Sequence, residues 1–145
     1  MTVQLGVASD HAGLELKRTL VKELEGRGVL VREFGTTTGD SCDYPDFAHF
    51  VGRAIEAGEI ERAILICGTG VGMSIAANRN AAVRAVVCSE PLTARMSRQH
   101  NDANVLCMGA RVVGTGMAID IMDSFLGATF EGGRHAARVA KINPA

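Results

Sequence analysis

A cysteine opens a glycine turn near the middle of this chain: Cys67-Gly68-Thr69-Gly70-Val71-Gly72-Met73-Ser74. The apolar run Ala63-Ile64-Leu65-Ile66 precedes it, and an amphipathic stretch from Ile75 to Arg79 follows. That order predicts a strand, a turn and a helix start. Backbone N–H groups of such a turn, with those of the helix start, bind anionic oxygens. The same positive partial charges favour the thiolate of a cysteine at the mouth of the turn. An anion cradle beside a polarised thiol points to chemistry on an anionic or enolisable substrate.

Other uses of a glycine turn compete with this one. It can simply let a strand and a helix pack closely. A nucleotide-binding P-loop needs a lysine inside the loop to reach the phosphates. No lysine occurs between Lys22 and Lys141, so that reading fails. A dinucleotide site needs an acidic residue about 20 positions on, to hold a ribose. Glu90 lies near that distance, but the glycine spacing differs and the turn follows the third predicted strand, not the first.

The elements that must position this turn are legible from periodicity. Strands are predicted at Val3–Ser9, Val29–Phe34, Ala63–Cys67, Val83–Cys88 and Asn104–Met108. Helical patterns fill the intervals at Leu14–Arg27, Phe47–Ala57, Val71–Asn80 and Leu92–Gln99, with two more near Gly116–Leu126 and Arg134–Lys141. Leu14, Leu16, Leu20, Val21 and Leu24 form one apolar stripe at helical spacing. Strands of near-continuous apolar character alternating with helices predict a five-stranded parallel sheet covered on both faces, an α/β fold in three layers. No repeat, low-complexity tract or linker divides the chain, which reads as one domain over 1–145.

Ligands of such sheets bind beyond the carboxyl ends of the strands. The residues there are Asp10-His11, Asp43-Tyr44 after a long loop, Cys67-Gly68-Thr69, Ser89-Glu90 and Arg111. Asp10 also suits the cap of the first helix. Ser89-Glu90-Pro91 reads as a helix start, with proline in the first turn. Arg134 and Arg138 are four apart and share a helix face, which fits either a phosphate anchor or a solvated basic face.

Composition narrows the partners. A chain of 145 residues with 47% apolar content forms a packed core that buries roughly 70% of the unfolded surface. Lys and Arg number 15 against 16 Asp and Glu, and no basic block stands out, so nucleic acid is not an expected partner. No run reaches membrane-spanning length and no secretory pattern opens the chain, so the cytoplasm is the expected compartment. Cys42, Cys67, Cys88 and Cys107 form no C-x-x-C pair and show no zinc spacing with the histidines. Free thiols and no metal are expected.

Five motifs occur in a defined order. They are Ser9-Asp10-His11-Ala12-Gly13, Asp43-Tyr44-Pro45, Cys67-Gly68-Thr69-Gly70-Val71-Gly72, Ser97-Arg98-Gln99-His100-Asn101-Asp102 and Glu131-Gly132-Gly133-Arg134-His135. Together they resemble the type B ribose-5-phosphate isomerases, grouped with allose- and galactose-6-phosphate isomerases. The resemblance spans nearly the whole chain. It implies a Rossmann-like α/β/α sandwich working as a dimer or a dimer of dimers, and a cofactor-free exchange between an aldose phosphate and a ketose phosphate. It implies Cys67 as the base moving a proton between C1 and C2, and His100 as the ring opener assisted by Thr69. Gly68, Gly70, Val71 and Gly72 would hold the enediolate oxygens. Asp10, His11 and Asn101 would contact sugar hydroxyls or phosphate, and Arg111, Arg134 and Arg138 the phosphate. Another branch of the family carries a glutamate where this chain has Met73; Met cannot take a proton, so the cysteine branch is implied. A six-carbon sugar phosphate, or a non-catalytic phosphosugar-binding module, stays open as an alternative. Tyr44 is a further candidate for the sugar site; His49 and His135 receive no catalytic role.

Topology adds one expectation. His100 and Asn101 end a helix that returns to the amino edge of the sheet, while Cys67 lies at the carboxyl edge. One subunit should therefore hold them apart. A two-fold axis could join one subunit's Cys67 with the other's His100.

Overall fold

The computed structural model describes residues 4–144. Five strands, β1 (Leu5–Ser9), β2 (Val31–Gly35), β3 (Arg62–Cys67), β4 (Ala85–Val87) and β5 (Val105–Gly109), pair in the order β2-β1-β3-β5-β4. Every pairing is parallel. The expected start of the first strand at Val3 lies outside the described residues. The central strands β1 and β5 are buried along their whole length, and β3 from Ala63 onward. The edge strands β2 and β4 have no buried residue.

Six helices cover the sheet: α1 (Leu14–Gly26), α2 (Tyr44–Glu56), α3 (Val71–Ala77), α4 (Pro91–Asn101), α5 (Thr115–Gly127) and α6 (Arg134–Ala140). A strand sends alternate side chains to opposite faces, and β3 divides accordingly. Ile64 and Ile66 join Leu20 and Leu24 of α1 and Phe125 of α5 in one core. Ala63, Leu65 and Cys67 join Val51 of α2 and Met73 and Ala77 of α3 in the other. The stripe expected on α1 is buried at every one of its five positions. The α/β architecture read from the sequence is the one observed.

Three helix boundaries differ by two or more residues from the periodicity reading, and β2 and β4 each begin two residues later than expected. The second helix starts at Tyr44 rather than Phe47, because Asp43 takes the extended cap position and Pro45 suits the first turn. The third helix ends at Ala77 rather than Asn80. The Asn78 side chain turns to the β4 backbone instead, accepting from Ala85 N at 2.7 Å and donating to Ala85 O at 2.9 Å. The fourth helix runs two residues past Gln99, so His100 and Asn101 form its last turn. It stops at Asp102, whose φ of 47° is left-handed. Arg84 and Arg98 hold the Asp102 carboxylate at 3.2 and 3.0 Å.

Candidate active site

Adjacent strands bring their carboxyl-terminal loops into contact, and the site grows from that fact. β3 lies between β1 and β5, with Cys67 in register with Gly109. The loop after β5 is tied to the loop after β3 by Ala110 N donating to Cys67 O at 2.9 Å and Arg111 N donating to Gly68 O at 3.0 Å. On the other side, Asp10 N donates to Ile66 O at 3.2 Å. The sequence thus places Asp10, Cys67 and Arg111 along one edge through strand order alone.

Glycine is required where these loops touch. A Cβ on Gly109 would stand 2.6 Å from the Thr69 backbone, and one on Gly13 would stand 2.7 Å from Ile66 O. Gly70 adopts a φ of 81°, which other residues reach only with strain. That turn aims Gly70 N at the Cys67 sulfur, 3.2 Å away. That contact fixes the sulfur at the mouth of the turn. Val71 N donates to Thr69 Oγ1 at 3.3 Å, which fixes the threonine over the same loop. The Arg111 side chain crosses Gly68, with its Cδ and Nε 3.7 Å from where a Cβ would be.

The aspartate and histidine after β1 are set by different partners. Asp10 caps the short turn His11–Gly13, its Oδ1 accepting from Gly13 N at 3.1 Å. His11 Nδ1 accepts from Cys42 N at 3.2 Å. A backbone amide only donates, so Nδ1 carries no proton and Nε2 holds it. The loop that brings Cys42 here is anchored by Lys17, a fully buried lysine whose Nζ donates to Thr36 O at 2.8 Å. Lys17 also pairs with Glu33 at 3.6 Å. Tyr44, first residue of α2, lies against Gly72, where a Cβ would come within 2.5 Å of the ring.

The thiols divide by environment. Burial, with a smaller effect of Glu90, pushes the Cys88 thiol up to about 12. Burial also holds Cys107 well above the ordinary thiol range, with Cys67 and Cys88 adding to it. Both stay protonated in the core.

The remaining candidates stand elsewhere. His100 lies on the last turn of α4, where its ring stacks on that of His135 with centroids 4.2 Å apart. Glu131 Oε1 lies 3.7 Å from His100 Nε2 and 3.6 Å from His135 Nε2. Asn101 is exposed beside them, and its carbonyl accepts from Arg84 Nε at 3.1 Å. Arg134 and Arg138 are exposed on α6. Burial first, then His100 and Arg134, hold the His135 imidazole below the usual histidine range. One chain therefore gathers Asp10, His11, the 67–72 loop and Arg111 at the carboxyl edge. His100, Asn101, Arg134 and Arg138 gather around α4 and α6.

Sequence reasoning missed Cys42, Lys17 and the Glu131–His135 contact. Nothing in the spacing links Cys42 to His11, 31 residues apart. Glu131 and His135 are four apart, but Glu131 lies on the loop before α6, so helical spacing does not signal the contact. Stacking of His135 on His100 depends on the tertiary fold.

A family model for ribose/galactose isomerases matches residues 5–142 of this chain. Ribose-5-phosphate isomerase B of Escherichia coli is 52% identical over 139 residues, spanning 96% of this chain and 93% of that protein. The structure of the Clostridium thermocellum ribose-5-phosphate isomerase B superposes with a TM-score of 0.95 at 53% identity, over 97% of this chain and 95% of that one. The Mycoplasma genitalium enzyme, solved with bound ribulose 5-phosphate, superposes with a TM-score of 0.93 at 42% identity, over 98% and 95% of the two chains. The chain belongs to the ribose/galactose isomerase family.

Proposed function

We propose that this protein interconverts ribose 5-phosphate and ribulose 5-phosphate without a cofactor. The observation that carries the reading is the Gly70 N–H aimed at the Cys67 sulfur, inside a glycine cradle flanked by His11 and Arg111. A relative of known structure in the same family holds ribulose 5-phosphate.

In the open-chain aldose, the Cys67 thiolate removes the C2 proton. The electron pair becomes the C1–C2 double bond of an enediolate, and charge gathers on the former carbonyl oxygen. The thiol then returns the proton to C1, while the O2 hydroxyl proton is passed to O1, so that the carbonyl re-forms at C2 and C1 becomes the alcohol. Such a positioned base supplies roughly 10²–10⁴-fold. Amides of the 68–72 loop and Thr69 face the developing oxyanion, where fixed donors contribute a comparable factor. His11 donates from Nε2 to a substrate oxygen, and Asp10 accepts from a sugar hydroxyl.

His100 serves as the acid–base group that opens the furanose ring, and it acts from a second copy of the chain. Asn101, Arg134 and Arg138 come with it, so phosphate is held by Arg111 of one subunit and the α6 arginines of the other. Support comes from the distance between the two clusters within one chain, and from exposed Val71 and Ile75 beside the cradle. Paired apolar residues at such a rim suit burial against a partner. Residues 1–145 act as one domain in this scheme, with α6 serving both the phosphate site and the dimer.

The test is turnover of ribose 5-phosphate in the presence of a chelator, compared with allose and galactose 6-phosphates. The reading expects ribulose 5-phosphate to form fastest. Tight phosphosugar binding without turnover would leave a binding module, and preference for a hexose phosphate would move the substrate class.

A further inference from the structure

We infer that His100, Glu131 and His135 form a binding site for a borderline divalent transition ion such as Zn²⁺, and that its occupancy stops isomerisation by withdrawing His100. The inhibitory half rests on the ring-opening role given to His100 above.

The three donor atoms lie within 4.8 Å of one another. Ligands about 2.1 Å from a tetrahedral zinc ion stand roughly 3.4 Å apart. The contacts of Glu131 Oε1 to the two Nε2 atoms, 3.7 and 3.6 Å, exceed that by only a few tenths. Two imidazoles and one carboxylate select zinc and its neighbours over magnesium or calcium, which prefer oxygen donors alone.

The second observation is the state of His135. Its residue is only 8% exposed, and its Nε2 is a buried atom without a hydrogen-bond partner. Native proteins rarely leave such an atom unsatisfied. Nε2 lies 3.6 Å from Glu131 Oε1, on the loop that precedes α6. The loop carrying Glu131 is fixed on α4, because Glu131 N donates to Gln99 O at 3.0 Å.

The two rings stand only 13° from parallel, so one ion cannot lie in both ring planes as they are. His100 is the ring that turns. Its side chain is 30% exposed, whereas that of His135 is 10% exposed. Turning to a metal takes the His100 Nε2 away from any substrate. Glu131, 51% exposed, leaves a fourth position open to water. Arg134 and Arg138 lie close enough to oppose a dication. Their charge suits a reversible, regulatory ion rather than a resident one.

Calorimetric titration of Zn²⁺ into the chelator-treated Cys67→Ser protein, which lacks the cradle thiolate, reads the site directly. One ion per chain is expected. Glu131→Gln and His135→Gln on that background should bind at least about tenfold more weakly, the loss that even outer partners of a metal ligand cause. Undiminished binding in both variants would overturn the site. Activity is read with Cys67 intact. Zn²⁺ but not Mg²⁺ should inhibit, and Glu131→Gln should keep its chelated rate while resisting inhibition. Equal Zn²⁺ sensitivity in that variant would overturn the switch. An inactive chelated wild type would instead sink the isomerase reading, and calorimetry would still decide the site.

Discussion

Cys67 and His100 stand at opposite ends of the same sheet. Cys67 is in register with Gly109, the last residue of β5, while His100 lies on the helical turn that leads into Val105, the first. Four steps at about 3.3 Å put roughly 13 Å between Gly109 and Val105, the two ends of that strand. That separation is wider than a proton-transfer site allows, where partners sit within about 3 Å or one water. Two consequences follow: each residue needs its own functional test, and the two need a joint one.

Cys67→Ala should fold normally, bind the sugar phosphate and lose two or more orders of magnitude in turnover, roughly what a positioned base supplies. Peptide mapping after iodoacetamide should find loss of activity tracking Cys67, with substrate protecting it. Cys88, pushed up to about 12, should stay unmodified in the folded protein, as should the fully buried Cys107. Inactivation that tracks Cys88 or Cys107 would contradict the assignment.

Arg138→Ala should raise KM for ribose 5-phosphate severalfold or more, because a charge-assisted contact to phosphate is lost. Any residual activity on free ribose should fall far less. Equal penalties on both sugars would mean a structural role for Arg138.

Gly109→Ala should damage the cradle without touching substrate. Its Cβ would stand 2.6 Å from the Thr69 backbone, so the 67–70 loop must move. Overpacking of this kind costs about 1–3 kcal/mol. The expected result is a moderate fall in melting temperature with a disproportionate loss of kcat. Unchanged kcat would show that the cradle geometry is not needed.

Acid stability should depend on Glu90, the cap of α4. Its carboxylate accepts from Thr93 N at 3.0 Å, and the Thr93 side chain in the first place, then this backbone N–H, holds it below the ordinary value of 4.5. A depressed carboxylate stabilises the fold above the ordinary value, and that contribution disappears as pH falls through the lower folded-state value. Urea midpoints for Glu90→Gln should therefore lie below wild type at neutral pH and converge with it in acid. A constant gap at all pH values would rule out this source.

How much of this was legible in the sequence depends on the range of the forces involved. The glycine turn, the α1 stripe and the alternation of strand and helix are local patterns, and each appears where periodicity put it. Helix ends were less legible, because Asn78 and Asp102 are fixed by partners outside their own helices, Ala85 and Arg84. The carboxyl-edge residues could be grouped because parallel strands share a direction. The His11–Cys42 and His100–His135 contacts join loops and helices whose meeting only tertiary packing sets. Their spacing of 31 and 35 residues has no periodic signature.

The shared site is tested most directly by subunit complementation. Inactive Cys67→Ala and His100→Ala proteins are mixed under conditions that exchange subunits, with mixed dimers verified by mass. If one subunit's Cys67 works with the other's His100, each mixed dimer carries one intact site, and random exchange restores roughly a quarter of wild-type activity. No recovery in verified mixed dimers would contradict the account.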